Sequence, residues 1–173
     1  MRERQEFLDR YFVFATDTWE PPTDYSRANG LVEEIRQAQA VGAALGRPRS
    51  SRALALLGDV TFLHDSNGLV IGPGEERPDL MVVVVNDDGG SIFSVLEQGG
   101  PSYASSFEKL FGTPHGVDLA ALCAASGTPH RRVTTRADLE RAIATPRGGV
   151  EVVEAVVRRD DRRELDAAIR SLT

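Results

Sequence analysis

The chain has 173 residues, of which 41% are hydrophobic and 27% charged, a balance that fits one ordinary globular domain and excludes a disordered or fibrous chain. The formal net charge of -6 argues against nucleic-acid binding through bulk positive charge. A single cysteine, Cys123, excludes an internal disulfide and a four-cysteine zinc site.

Residues 1 to about 30 stand apart from the rest. They carry the only tryptophan, Trp19, and the Pro21-Pro22 pair, and read as a short helix followed by an extended segment. Their mixed acids and bases around a short apolar patch do not make a signal peptide, so the expected location is cytoplasmic. From Leu31 a helical stripe places Leu31, Ile35, Ala38, Gly42 and Leu45 on one face, with Gly46-Arg47-Pro48 as its stop. Ala53–Leu57 is a short apolar strand ending in Gly58-Asp59, and Phe62–Ile71 reads as a helix halted by Gly72-Pro73-Gly74. Leu80–Val85 is apolar at every position, as expected of a central strand with both faces covered. It is far shorter than the roughly 20 residues of a membrane span. It runs into Asn86-Asp87-Asp88-Gly89-Gly90. Short helical pieces follow at Ile92–Leu96, Phe107–Phe111 and Val117–Ala125, then a strand at Arg131–Val133. A helix capped by Thr135 runs to Ala144, and Glu151–Val157 forms the last strand. The final helix, Asp160–Leu172, is expected to be capped by Asp160 or Asp161 and to turn Leu165, Ala168, Ile169 and Leu172 inward. Strands alternating with helices predict an α/β layered fold with a mainly parallel sheet.

Such sheets bind ligands in the crevice beyond the carboxyl ends of their strands. Two of these ends carry Gly and Asp together: Gly58-Asp59 and Asn86-Asp87-Asp88-Gly89-Gly90. If the strands are neighbours, two carboxylates share one crevice and repel unless a counter-ion lies between them. Mg²⁺ suits the position, since it takes oxygen ligands and is held by one or two carboxylates with phosphate oxygens. Glycines let backbone approach, their N–H groups can point at an anion, and a helix starting after Val60 presents an N-terminus that favours phosphate. Each segment is also an ordinary turn former, so taken singly either corner has a purely structural reading.

The segments LLGDVTFLHDSNGLVIG, VVVVNDDGGSIFSVLEQG and FGTPHGVDLAALCAASGTPHRRV resemble the C-terminal domain of the 2-succinyl-5-enolpyruvyl-6-hydroxy-3-cyclohexene-1-carboxylate synthases of menaquinone biosynthesis. The resemblance runs from about Val41 to the end, which divides the chain into a divergent segment, 1–40, and a cofactor domain, 41–173. It implies the three-layer thiamine diphosphate-binding fold, a parallel sheet between helices. It further implies Mg²⁺ (or Mn²⁺) held by the side chains of Asp59 and Asp87 and the carbonyl of Gly89. Gly58, Asp59, Val60, Thr61, Asn86, Gly89 and Gly90 would border the diphosphate, and Ile92 and Phe93 would pack near the cofactor. In the family, 2-oxoglutarate is decarboxylated and the product added to isochorismate, with the cofactor as electron sink. The activating glutamate belongs to a pyrimidine-binding domain across a subunit interface, so the expected partners are that domain, on a separate chain or a missing part of this one, and further copies in an oligomer. The stretch Arg27–Ile35 lacks the family's Gly-Ile-Asp-Gly turn, and no role is carried onto Arg27.

The remaining candidates read as structural. His64 is expected to bond Asp65 or backbone, His115 and His130 to be surface turn residues, and Cys123 to fill core. Arg158, Arg159, Arg162 and Arg163, interleaved with Asp160 and Asp161, read as a solvated helix start. Three functions stay open on the residues: the cofactor half of the synthase, inactive alone; a non-catalytic diphosphate-binding or dimerisation module; and an unrelated aspartyl phosphotransferase, which lacks the expected acidic neighbour and lysine.

Overall fold

The computed structural model of the chain describes residues 40–46 and 52–171. The expected N-terminal elements and most of the stripe beginning at Leu31 lie outside the described residues. Residues 40–45 are helical, but Ala40, Val41 and Ala44 face the core while Gly42 and Leu45 are exposed, so the inward face lies about one position round from the expected stripe.

Four strands follow: β1 (Ala53–Gly58), β2 (Leu80–Asn86), β3 (His130–Val133) and β4 (Val150–Val156). All three pairings are parallel, in the order β1-β2-β4-β3. Strand β2 is central and its side chains alternate between two cores, as the period of two demands. Leu80, Val82 and Val84 join Phe62, Leu69, Leu119 and Cys123 on one face; Met81 and Val83 join Val153, Ala155 and Ala142 on the other. The helices are thereby sorted. α1 (Asp59–His64) and α3 (Leu119–Ala125) lie on the β1-to-β2 and β2-to-β3 connections, which step in the same direction along the sheet, and they share one face. α4 (Arg136–Ala144) lies on the β3-to-β4 connection, which turns back, and so covers the opposite face. Thr135 caps α4 as expected, its side chain accepting from Asp138 N. Cys123 is fully buried, and that burial, with the Glu154 charge second, pushes its thiol up to about 11.

Three expected helices differ. The predicted Phe62–Ile71 helix starts earlier, at Asp59, and breaks at Asp65 into a 3₁₀ turn, Ser66–Leu69, because Asn67-Gly68 favours a turn over continuation. Phe107–Phe111 is not one helix: α2 (Ala104–Phe107) gives way to a π turn, Glu108–Gly112, closed by Thr113 N–H on Glu108 O. The last helix, α5 (Arg162–Arg170), starts two residues late. Asp161 makes no side-chain cap bond, and Asp160 is held by Arg158. Leu165 and Ile169 are 50% and 56% exposed, not inward, because α5 docks through Arg163 on the carbonyls of Ser94 and Leu96 and not through its apolar face.

Candidate functional site

Strands β1 and β2 pair so that Gly58 lies opposite Val85, which brings Asp59 and Asn86 to the same carboxyl edge. Asp59 is the first residue of α1 and only 3% exposed. Its carboxylate accepts three N–H bonds: Val60 N at 2.8 Å on Oδ1, and Gly89 N at 2.8 Å and His115 Nε2 at 3.1 Å on Oδ2. The two acidic corners thus meet, as the sequence predicts.

The Asn86–Gly90 loop is braced from several sides. Asn86 Oδ1 accepts from Asp88 N at 2.9 Å. Asp88 takes a left-handed conformation (φ 59) and accepts from the backbone N–H of His115 and Gly116. Asp87 accepts from the Ser91 hydroxyl through Oδ2, while its Oδ1 is buried with no hydrogen-bond partner. Burial holds the Asp87 carboxyl above the usual range and the Asp59 charge adds to this, opposed by Ser91, Arg159 and Arg162. The glycines serve backbone packing. Gly89 has φ 131, and a Cβ there would lie 2.1 Å from Gly112 O; at Gly90 it would lie 2.3 Å from Phe111 O. Their N–H groups, expected to face an anion, are taken instead by Asp59 and by Gly112 O, because the loop folds against the π turn. Gly58 differs, for a Cβ there would meet nothing within 4 Å. Thr61 is half-buried in the first turn of α1, and Ile92 and Phe93 are exposed just past the loop.

Several participants escape sequence reading. His115 is no surface turn residue: its ring reaches Asp59. Its flanking Pro114 and Gly116 mark a turn but not the turn's destination. His130 lies on β3, and its Nε2 is 3.0 Å from Glu154 Oε2, so it too departs from the expected exposed turn. His64 is exposed on the last turn of α1. Arg159 and Arg163 are not a purely solvated pair. Arg159 donates to Asp88 O at 2.8 Å and pairs with Glu108, tying the loop to the π turn. A cleft of about 760 Å³ opens beside the loop, lined by Asn86, Asp87, Asp88, His115, Glu154 and Arg159 among others. Among the described residues no group of three or more His, Cys, Asp or Glu side chains is arranged to hold a metal ion. A cation here would therefore rest on two carboxylates and on oxygens from elsewhere.

A family model described as the thiamine pyrophosphate enzyme, C-terminal TPP binding domain, matches residues 34–169. The chain belongs to this family. As a thiamine pyrophosphate enzyme domain it is 71% identical, over 77% of its length, to the 2-succinyl-5-enolpyruvyl-6-hydroxy-3-cyclohexene-1-carboxylate synthase of a Nocardioides species. It is 56% identical, over 76% of its length, to the synthase of the same name from Rhodococcus erythropolis. It spans only about a quarter of these relatives, 25% and 24% of their lengths. Two solved structures share the fold: a thiamine diphosphate-dependent 4-hydroxybenzoylformate decarboxylase from Rhodococcus jostii, with TM-score 0.54 and 20% identity, and a benzoylformate decarboxylase from Polynucleobacter necessarius, with TM-score 0.52 and 24% identity. Each likeness covers 70% of this chain, and 22% and 23% of those chains. The sequence expectation of a thiamine diphosphate-binding fold is thus met by this family's domain. Among its described residues no helix is long and apolar enough to cross a membrane.

Proposed function

We propose that this domain holds thiamine diphosphate and Mg²⁺ (or Mn²⁺) for a synthase of the kind its curated relatives are named for, one that decarboxylates 2-oxoglutarate and joins the product to isochorismate. The observation that carries the reading is Asp87 Oδ1: a buried carboxylate oxygen with no partner, on a residue that feels the charge of Asp59. A divalent cation supplies what that oxygen lacks and offsets the repulsion between the carboxylates. The donor set is all oxygen, which suits a hard ion and not zinc.

Asp59, Asp87 and the Gly89 carbonyl would hold the cation. Gly58, Val60, Thr61, Asn86 and Gly90 would border the diphosphate, with the open space before Gly58 leaving room for it. Exposed Ile92 and Phe93 offer apolar surface to the cofactor's rings. When bound, thiamine diphosphate supplies the electron sink that decarboxylation and carbon–carbon bond formation both need. The domain's own residues fix that group and shield it on one side. Activation of the cofactor falls to a glutamate of a pyrimidine-binding domain, so turnover requires that domain and an assembly of subunits.

The test is calorimetric titration of the full chain with thiamine diphosphate, with and without Mg²⁺. Binding should require the metal, and Asp59→Ala should abolish it while far-UV circular dichroism stays unchanged. Undiminished affinity in that variant removes Asp59 from the site. Binding without decarboxylation of 2-oxoglutarate, even after a pyrimidine-binding domain is added, would favour a non-catalytic module.

A further inference from the structure

We propose that His115 is a positioning residue: in its neutral Nε2–H form it holds the Asp59 carboxylate so that Oδ1, and not Oδ2, is left to the cation. The inference rests on the cation site proposed above and goes beyond it to a residue outside the two acidic corners.

Asp59 stands at the start of a six-residue helix, and its hydrogen bonds fix the orientation of the carboxylate. Oδ2 receives both Gly89 N–H and His115 Nε2, which uses its two lone pairs; Oδ1 receives only Val60 N–H and keeps one. The oxygens left over at the site are therefore Asp59 Oδ1 and the unpartnered Asp87 Oδ1.

The tautomer follows from the other ring nitrogen. Val117 N–H donates to His115 Nδ1 at 2.9 Å, so Nδ1 is an acceptor and the proton sits on Nε2, facing Asp59. Asp88 Oδ1 stands 3.5 Å from Nδ1, but it is engaged by the N–H groups of His115 and Gly116. Those two bonds tie the His115 turn to the Asp87–Gly90 loop, and the ring leaves the same turn to reach Asp59. The turn thus braces both acidic corners at once, from farther along the β2-to-β3 connection that also carries Asp87.

Two substitutions separate the nitrogens. Gln can place a donor where Nε2 sits, and Asn can place a polar group only where Nδ1 sits. His115→Gln should bind thiamine diphosphate with Mg²⁺ within about threefold of the parent. His115→Asn should lose at least about tenfold, the low end of what removing a support behind a metal ligand costs. A residue that merely holds its own turn through Nδ1 would give the reverse order, and that result, or equal affinities for all three proteins, overturns the inference. Failure of the parent chain to bind would instead strike the cofactor reading, and a second measurement keeps the two apart. Long-range ¹H–¹⁵N spectra of the chain without ligand should show His115 protonated on Nε2, and Asp59→Ala should shift that nitrogen. A proton on Nδ1 overturns the proposal whatever the cofactor does.

Discussion

The side-chain amide of Asn86, at the end of β2, donates to the buried carboxylate of Glu154 on β4 at 2.7 Å. That one bond sets which end of the amide faces the loop, because the opposite atom, Oδ1, then accepts from Asp88 N. His130 on β3 holds the second oxygen of Glu154. A line of hydrogen bonds therefore runs across three neighbouring strands and ends at the loop that carries Asp87.

Replacing Glu154 by Ala leaves Asn86 Nδ2 and His130 Nε2 without their acceptor. The expected loss is about 2–3 kcal/mol, the range for orphaned buried polar groups next to a charged partner, read from urea unfolding. Metal-dependent cofactor binding should weaken as well. A variant as stable as the parent would show that the three-strand line is not energetically coupled.

Asp87 makes a pH prediction. Its carboxyl is raised in the folded chain, by burial first and by Asp59 besides. The folded state then holds the proton more firmly than the unfolded state. Without ligand, this residue's contribution to stability falls as pH rises from the ordinary aspartate range through the raised value, and the deficit persists at neutral pH. A bound cation relieves that deficit. Mg²⁺ with thiamine diphosphate should accordingly raise the melting temperature more at about pH 7.5 than at about pH 5, where proton and metal compete. Asp87→Asn should flatten the difference. Equal increments at the two pH values in the parent would count against Asp87 as a ligand.

Glu151, at the opposite end of β4, is 1% exposed and bonded by Arg52, by Arg131 at 2.9 Å and by Arg147 N at 3.0 Å. Removing it leaves Arg52 with Asp79 alone and Arg131 with the carbonyl of Ala142 alone, and the Nε atoms of both already lack partners. Glu151→Ala should cost about 3 kcal/mol, the lower end for breaking a buried ion pair because both arginines retain some solvent. Cofactor affinity should not change beyond what the stability loss explains, since this cluster lies at the amino ends of the strands. Denaturant titration and calorimetry on the same variant check both halves of the statement.

Gly58 and Gly90 should answer alanine in opposite ways. Gly58 is extended (φ -78, ψ 161) with open space before it, so Gly58→Ala should leave the unfolding free energy from urea titration nearly unchanged, within about 0.5 kcal/mol. It should nonetheless weaken cofactor binding by filling the diphosphate's space. Gly90→Ala meets the carbonyl of Phe111 at 2.3 Å and should destabilise the chain by about 1–3 kcal/mol. Equal stability losses at the two positions would mean that the space before Gly58 is not free.

The strands, the capped helix α4 and the two acidic corners are legible in the residue order because they rest on local patterns. Examples are the unbroken apolar run of β2, Thr135 ahead of α4, and Gly or Asp directly after a strand. The turn at Asn67-Gly68 and the π turn at Glu108–Gly112 are less so, since apolar spacing persists through both breaks. Composition and periodicity alone thus determined an α/β chain with carboxylates at two strand ends, and resemblance added a cofactor. Only the tertiary structure decided that β1 and β2 are adjacent, that the glycine N–H groups are spent within the protein, and that His115, 56 residues from Asp59, closes on it. The physical reason is range: capping and burial alternation act over a few residues, whereas the bonds that orient Asp59 and Asn86 join segments separated by a helix or more.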